Sequence, residues 1–328
     1  MKKTLSVIIP NYNGKHLLEA NLPSVIHAVE QAKVPFEIII VDDGSKDDSI
    51  LFIQNNYPEL LLLINPENRG FSYTCNQGIK TAKHELILLL NSDVRLDLNY
   101  FEKQWQYFQR EDTFGVMGKI MSMDGSKIED AARIFFYQGC RLKANRFYYS
   151  EDPAENQLYT AYLSGANALI DSKKLKELQG FNEIYSPFSS EDADLSLRAW
   201  LLGWKCYYEH HSTCYHQVSG STKTQIKSDF IKKIYFRNRF LFHHIHLTGF
   251  RALIWPLYVL LIEALPKLLT GKFWVLKSYT EYIKLRPSIK ASKESFKLLK
   301  RKYGSSLEID HIIDRINKSL SNKPIRHL

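Results

Sequence analysis

Short apolar runs punctuate the first part of the chain: residues 4–9, residues 37–41, Leu60–Ile64 and Glu85–Leu90. None alternates with polar residues, and each is closed by a turn signal, so each reads as a strand buried on both faces of a parallel sheet. Pro10 is expected to stop the first strand. Between the runs the pattern changes period. Leu17, Leu18, Leu22, Val25, Ile26 and Val29 recur at helical spacing. Ser45, Asp47 and Asp48 are helix-start residues for a segment through Ile53. Asn68-Arg69-Gly70 turns into a helix predicted over Phe71–Ala82. This βαβαβαβ rhythm with short connections predicts a doubly wound α/β fold around a mostly parallel sheet.

Further along, the pattern predicts a helix over Leu98–Phe108, then mixed strands and loops to about Tyr162. An apolar segment at Leu163–Ile170 and a short helix at Lys173–Leu178 follow. Glu191–Leu202 reads as a helix ended by Gly203, the usual residue just past a helix C-terminus. From about Thr222 the chain becomes basic, aromatic and helical. A boundary is placed there, giving regions 1–221 and 222–328.

Charge sharpens that division. The 328 residues carry a net charge of +9, yet residues 222–328 hold 22 Lys/Arg against 7 Asp/Glu, leaving the rest mildly acidic. Such a tail suits a polyanionic surface, a membrane leaflet or nucleic acid. Cys75, Cys140, Cys206 and Cys214 form no C-x-x-C pair. The apolar run after Met1-Lys2-Lys3 is too short for a secretory signal, so reduced thiols in the cytoplasm are expected.

Two strands end on acids. The second runs into Asp42-Asp43-Gly44-Ser45 and the fourth into Asn91-Ser92-Asp93. Ligands of parallel sheets sit just beyond the carboxyl ends of the strands. An acid there can hydrogen-bond a base or sugar, or hold a hard cation bridged to phosphates. The chain contains no G-x-x-x-x-G-K-[ST], no strand-linked G-x-G-x-x-G and no G-x-S-x-G, which disfavours P-loop, nicotinamide and hydrolase-elbow chemistry.

An ordered set of segments resembles the family 2 glycosyltransferases of GT-A fold, in particular their rhamnosyltransferase-like bacterial members. The segments are Ser6–Asn13, Val41–Ser45, Asn68–Phe71, Asn76–Gly78, Asn91–Val94, Ser164–Asn167, Gly180–Glu183 and Glu191–Arg198, spread over roughly residues 4–220. The resemblance implies a Rossmann-like GT-A sheet flanked by helices, followed by a basic helical C-terminal extension.

It also implies roles. Pro10, Tyr12, Asp42, Asp43, Arg69 and Ser92 fall where such enzymes hold a nucleotide-sugar donor, with Asp43 able to accept from the N3–H of a uracil or thymine. Asp93 occupies the last position of a D-x-D element that binds Mn²⁺ or Mg²⁺, although Asn91 replaces its first acid. His216 matches a metal-binding histidine, and imidazole favours Mn²⁺. Asp192 matches the general base of inverting members, while Gly165, Glu191 and Asp194 are expected to contact or support the acceptor.

The expected activity is inverting, metal-dependent transfer of a sugar from a UDP- or dTDP-linked donor to a saccharide or polyprenyl-linked acceptor, in cell-surface polysaccharide synthesis. The alternatives are a sugar-nucleotide nucleotidyltransferase or a non-enzymatic polyanion-binding protein. The enzyme reading requires Asp43, Asp93 and Asp192 to converge at one cleft edge. For the tail, Ala252–Leu269 is the longest apolar run, interrupted by Pro256, Glu263 and Pro266. Flanked by Arg251, Lys267, Lys272, Lys277, Trp255 and Trp274, it suits an amphipathic element on the inner face of the cytoplasmic membrane. Nucleic acid is not the expected partner.

Overall fold

The computed structural model describes residues 3–328 except 153, 156 and 218–227. The boundary expected near 222 falls outside the described residues.

The predicted rhythm is present: β1 (Leu5–Asn11), α1 (Lys15–Ala32), β2 (Phe36–Asp42), α2 (Ser49–Asn56), β3 (Leu61–Ile64), α3 (Phe71–Thr81) and β4 (Leu86–Leu90). These strands are parallel, with β1 between β2 and β4, and β3 outside β2. The chain therefore steps outward from β1 on one side, then returns to pair on its other side. That reversal opens a crevice beyond the carboxyl ends of β1 and β4, where ligands of such sheets bind. Residues of alternate parity face opposite layers. Val7 and Ile9 pack on Leu18, Leu22 and Val25 of α1. Ile8, Ile39 and Val41 pack on Cys75 and Ile79 of α3. At Gly78 an added Cβ would lie 2.5 Å from Ile8 Cγ2, so α3 can approach β1 this closely only with glycine there.

Past β4 the sheet becomes mixed. The elements are β5 (Val94–Leu96), β6 (Thr113–Ser122), β7 (Ile128–Asp130), β8 (Ala132–Gln138), β9 (Arg141–Tyr149), β10 (Leu158–Tyr159), β11 (Asn167–Asp171), α4 (Ser172–Glu177), α5 (Glu191–Leu201) and β12 (Lys205–His216). β11 inserts antiparallel between β4 and β6, and β12 runs parallel to β6. The main sheet has ten strands. Its companion is a three-stranded sheet of β8, β9 and the terminal β13 (Arg326–His327). The C-terminal helices are α6 (Ser228–His246), α7 (Gly249–Tyr258), α8 (Leu265–Leu269), α9 (Trp274–Lys284), α10 (Arg286–Lys302) and α11 (Ile309–Leu320). They join the same core as the sheet: Phe240, Trp255, Tyr282 and Ile312 cluster with Trp200 and Leu197.

Three local expectations need correcting. β1 continues through Pro10, which pairs with Val41. Pairing with β4 ends at Ile8, so the strand has one partner left where proline lacks its N–H. Residues 98–108 form turns and a 3₁₀ segment at Trp105–Gln109, not an α-helix. Bonds from Tyr100 N to Asp97 O, Gln104 N to Phe101 O and Tyr107 N to Gln104 O wind this stretch tightly. The winding buries Tyr100, Phe101, Trp105, Tyr107 and Phe108. Finally, the run from residue 249 to 269 stays helical through Pro256 and Pro266, with a π-helical stretch at Val259–Ala264 joining α7 to α8.

Candidate active site

At the end of β2 both acids are committed to loop geometry. Asp42 accepts from Asn11 Nδ2 (2.9 Å), Ser45 N (2.8 Å) and Ser45 Oγ (2.6 Å), tying the β2 exit to the end of β1. Asp43 is buried and accepts from Asn65 Nδ2 (2.8 Å), Arg69 N (3.0 Å) and Gly70 N (2.8 Å). Three donors leave a carboxylate about one of its four lone-pair directions. Its brace holds the turn into α3, where Gly70 has φ +87° and an added Cβ would lie 2.8 Å from Pro187 Cα. Pro10 is half-buried and Tyr12 exposed at the rim. Arg69 stacks on Tyr73, 4.6 Å from the ring centroid, its guanidinium half-exposed beside Glu67.

At the end of β4, the turn through Asn91 and Ser92 is held by Asn21 Nδ2, which donates to Ser92 O (3.1 Å). Asp93 is buried and meets His216: Oδ1 lies 3.5 Å from Nε2. The pairing of β12 with β5, His216 opposite Val94, brings together two residues far apart in sequence. His216 Nδ1 in turn lies 3.5 Å from Glu129 Oε2. The contact with Asp93 outweighs burial and, with Glu129, raises the imidazole above its ordinary value. Asp93 Oδ1 and Glu129 Oε2 are both buried, and each faces the His216 ring at 3.5 Å without a hydrogen bond of good geometry. Two carboxylate oxygens around an imidazole are donor types that suit a divalent cation. No group of three such side chains among the described residues is close enough to cage an ion alone, so the remaining ligands must come from elsewhere.

Beside this group lies a second one. Asp130 takes the Arg133 guanidinium in a two-point contact, Nε to Oδ1 at 3.0 Å and Nη2 to Oδ2. Arg133 is sandwiched between Phe147 (4.6 Å) and Tyr162 (4.4 Å). Its charge reaches Asp192, where it opposes the upward shift that burial imposes on that carboxyl. Asp130 senses His216 on its other side. Glu191 is buried, and its Oε2 has no hydrogen-bond partner among the described residues. Burial first, then neighbouring Asp192, lifts its pKa to about 8. The charges of Glu191 and Asp43 both reach Cys75 and add to the upward push of burial on its thiol. Direct contacts join Asp130 to Arg133 and Asp93 to His216, and longer-range charge interactions link Asp43 and Glu191 at Cys75, Arg133 to Asp192, and His216 to Asp130.

Asp194, placed by sequence among residues that contact or support an acceptor, is fully buried and can only support. It accepts from Tyr185 Oη (3.1 Å) and Arg198 Nε (2.8 Å) and meets His246 Nε2 at 2.7 Å. Burial alone would raise its pKa, but Arg198 and His246 hold it at about 2. Gly165 faces Phe71, whose Cζ would lie 3.2 Å from an added Cβ. The segment before α5 is wired to α6. Asn238, fully buried, donates through Nδ2 to the carbonyls of Tyr185, Phe188 (2.8 Å) and Ser189 (2.9 Å). Arg237 donates to Ser186 O. Ser189 and Ser190 adopt φ of +80° and +78°, a conformation that these bonds hold against its steric cost. Asn238→Leu removes the two N–H groups that these three carbonyls share, and each buried hydrogen bond so lost costs about 1–3 kcal/mol. Urea denaturation is expected to show a loss of at least about 2 kcal/mol, and an unchanged midpoint would refute this account of the loop.

Sequence reasoning missed Glu129, Asp130, Arg133, Tyr162 and His246. The first four lie in the stretch read only as mixed strands and loops, where an Ile-Glu-Asp step carries no motif. His246 lies across the proposed regional boundary.

Several known proteins resemble this chain in sequence or in fold. Residues 6–179, more than half of the chain, match the Glycosyl transferase family 2 domain. Glycosyltransferase GlyG of Streptococcus pneumoniae is 34% identical over 144 residues, 42% of this chain and 44% of that protein. The undecaprenyl-phosphate 4-deoxy-4-formamido-L-arabinose transferase of Aeromonas hydrophila is 33% identical over 97 residues, 28% of this chain and 30% of that protein. The matches span less than half the length of these relatives. In fold, GalNAc-T7, solved with UDP, GalNAc and Mn²⁺, superposes with a TM-score of 0.69 at 14% identity, covering 98% of this chain and 58% of that one. S. aureus TarS 1–349 with UDP-GlcNAc gives 0.53 at 16% identity, covering 90% and 89%. These neighbours establish a GT-A architecture. With the domain match running from β1 through α4, across both acid-bearing strand ends, the chain belongs to glycosyl transferase family 2.

Proposed function

We propose that the chain is an inverting, divalent-metal-dependent glycosyltransferase that moves a sugar from a UDP- or dTDP-linked donor to a lipid-linked or oligosaccharide acceptor. Cell-surface polysaccharide assembly at the inner face of the cytoplasmic membrane is the proposed setting. The observation that carries this reading is the meeting of Asp93, His216 and Glu129, two carboxylates 3.5 Å from one imidazole, in a chain that also sets Glu191 and Asp192 at the start of α5. Structural neighbours solved with Mn²⁺ and nucleotide ligands support it, as does a relative named for transfer to undecaprenyl phosphate.

In this reading Tyr12, Pro10, Asp42, Asp43, Arg69 and Ser92 line the donor side. Asp43 acts mainly by holding the Arg69–Gly70 backbone in place, with one lone pair left for a pyrimidine N3–H. The half-exposed Arg69 guanidinium is free to approach a diphosphate in a two-point contact. Asp93 and His216 would hold Mn²⁺ or Mg²⁺, with the remaining ligands coming from donor phosphate oxygens and water, and Glu129 flanks the His216 ring. The bound cation supplies Lewis-acid stabilisation of the departing diphosphate. Asp192 takes the proton of the acceptor hydroxyl as that oxygen attacks the anomeric carbon, and a single displacement inverts the configuration. Gly165 leaves room for the acceptor beside Phe71. Family membership leaves the nucleotidyltransferase and polyanion-binder alternatives without support.

The test is a panel of nucleotide-sugars with and without Mn²⁺, scoring donor hydrolysis and the thermal midpoint. The wild type is expected to be stabilised by UDP or dTDP only when Mn²⁺ is present. Asp93→Ala should abolish that metal-dependent shift while keeping the unliganded midpoint within a few degrees. An equal Mn²⁺ response in Asp93→Ala would sink the metal assignment.

A further inference from the structure

We infer that the helical run from Gly249 to Leu269 is a lipid-docking ridge that lies in the plane of an anionic bilayer instead of crossing it. The inference rests on the transferase reading for its setting and names the surface that meets the membrane. Phe250, Leu253, Leu257, Leu261, Leu265 and Leu269 recur at three- and four-residue spacing and are all exposed, Leu253 at 78% and Leu269 at 80%. A four-residue repeat drifts around a helix of 3.6 residues per turn, and the wider π-helical stretch at Val259–Ala264 takes up that drift. The stripe therefore stays on one side. Phe273, 67% exposed, extends it beyond the helix. A contiguous apolar surface of this kind marks an interaction site.

The opposite face fixes the orientation. Trp255, Val259 and Glu263 are buried. Trp255 Nε1 donates to Phe240 O (3.2 Å), and its ring stacks on His243 with centroids 4.5 Å apart. Glu263, at mid-helix, is held by Arg141 (3.2 Å), Arg239 and Lys267 (3.2 Å). The run has the length and mean hydropathy, 1.7, of a membrane span. Crossing would nevertheless tear Glu263 from two arginines of the protein body and leave a carboxylate in hydrocarbon, which is strongly unfavourable. Lying flat keeps every one of these contacts.

Charge selects the occupant. Lys272 and Lys277 are exposed beside the ridge, within a region of 22 basic and 7 acidic residues. A second copy meeting this face across a two-fold axis would set lysine against lysine. Anionic headgroups complement them, with the apolar stripe entering the acyl boundary.

The experiment uses the full chain with vesicles of phosphatidylcholine alone or with phosphatidylglycerol, comparing wild type with Leu253→Glu/Leu257→Glu. Flotation of the wild type with anionic but not neutral vesicles, and at least about tenfold weaker partitioning of the variant, supports the ridge. The inference is overturned if the wild type ignores anionic vesicles or if the variant partitions equally well. Resistance of the bound protein to alkaline extraction, or lipid-free dimerisation lost in the variant, would also overturn it. Donor hydrolysis without vesicles, scored in the same preparations, judges the transferase reading separately, because both leucines are exposed side chains of α7 and neither is part of the acidic cluster.

Discussion

Asp192→Asn is expected to lower kcat by about 10²–10⁴-fold, the usual contribution of a positioned general base, while thermal stabilisation by donor and Mn²⁺ survives. The substitution keeps shape and hydrogen-bonding capacity but removes the group that accepts the acceptor's proton. The pH profile adds a second readout. Burial raises the Asp192 carboxyl against the opposing pull of Arg133, and Glu191 stands at about 8. The two titrate as a pair, so the rising limb of the rate belongs to both and lies above the ordinary carboxylate range. Glu191→Gln removes a like charge and should move that limb to lower pH. Stability runs the other way. An acid whose pKa is higher in the folded state than its ordinary 4.5 favours folding at low pH, and that advantage is lost as pH rises towards about 8. Glu191→Gln should therefore gain stability relative to wild type at pH 8 compared with pH 5. Undiminished turnover in Asp192→Asn would end the base assignment.

Asp194→Ala carries the other large expected effect, on folding. Its carboxylate lies between Arg198, His246 and Tyr185 with no solvent exposure. Removing it leaves a buried guanidinium with one partner fewer, a change that typically costs about 3–5 kcal/mol. Arg198 also donates to Leu178 O (2.8 Å) and Gly180 O (2.9 Å), so the damage should spread to the turn after α4. Because Asp194 is held at about 2, below its ordinary 3.8, its contribution is present at neutral pH and lost as pH falls through that window. Asp194→Asn should flatten the acid limb of the stability curve between those values. Denaturant titrations at several pH values would measure both effects, and a loss below about 1 kcal/mol in Asp194→Ala would mean that the network is not cooperative.

The two effects separate chemistry from scaffold within one short helix start. Burial makes Glu191 and Asp192 protonation-prone, whereas Asp194 is locked ionised by Arg198 of the same helix and by His246 from α6. The helix brings these acids together, and the partners it shares with α6 hold Asp194 in place.

Much of this was legible in the residues. Buried strands betray themselves by unbroken apolar runs, and their turn-bounded ends marked Asp42, Asp43 and Asp93 as positions beyond a parallel sheet. The α1 and α3 faces followed from helical spacing. Winding at residues 98–108 was not legible, because Tyr100, Phe101, Trp105, Tyr107 and Phe108 recur at a spacing that one α-helical face also satisfies, so the pattern does not tell the two windings apart. The continuous helix through Pro256 and Pro266 was also missed, since proline reads as a break unless a π turn absorbs it.

Local pattern by itself determined the strand–helix rhythm, the acid-bearing strand ends and the helix that starts at Glu191, because these depend on neighbours in the chain. Tertiary structure alone decided that His216 meets Asp93 and Glu129, that the charge of Arg133 reaches Asp192, and that Asn238 and His246 brace the start of α5. Those interactions link residues tens to more than a hundred positions apart, and electrostatic strength depends on separation and burial, which only the packed fold sets.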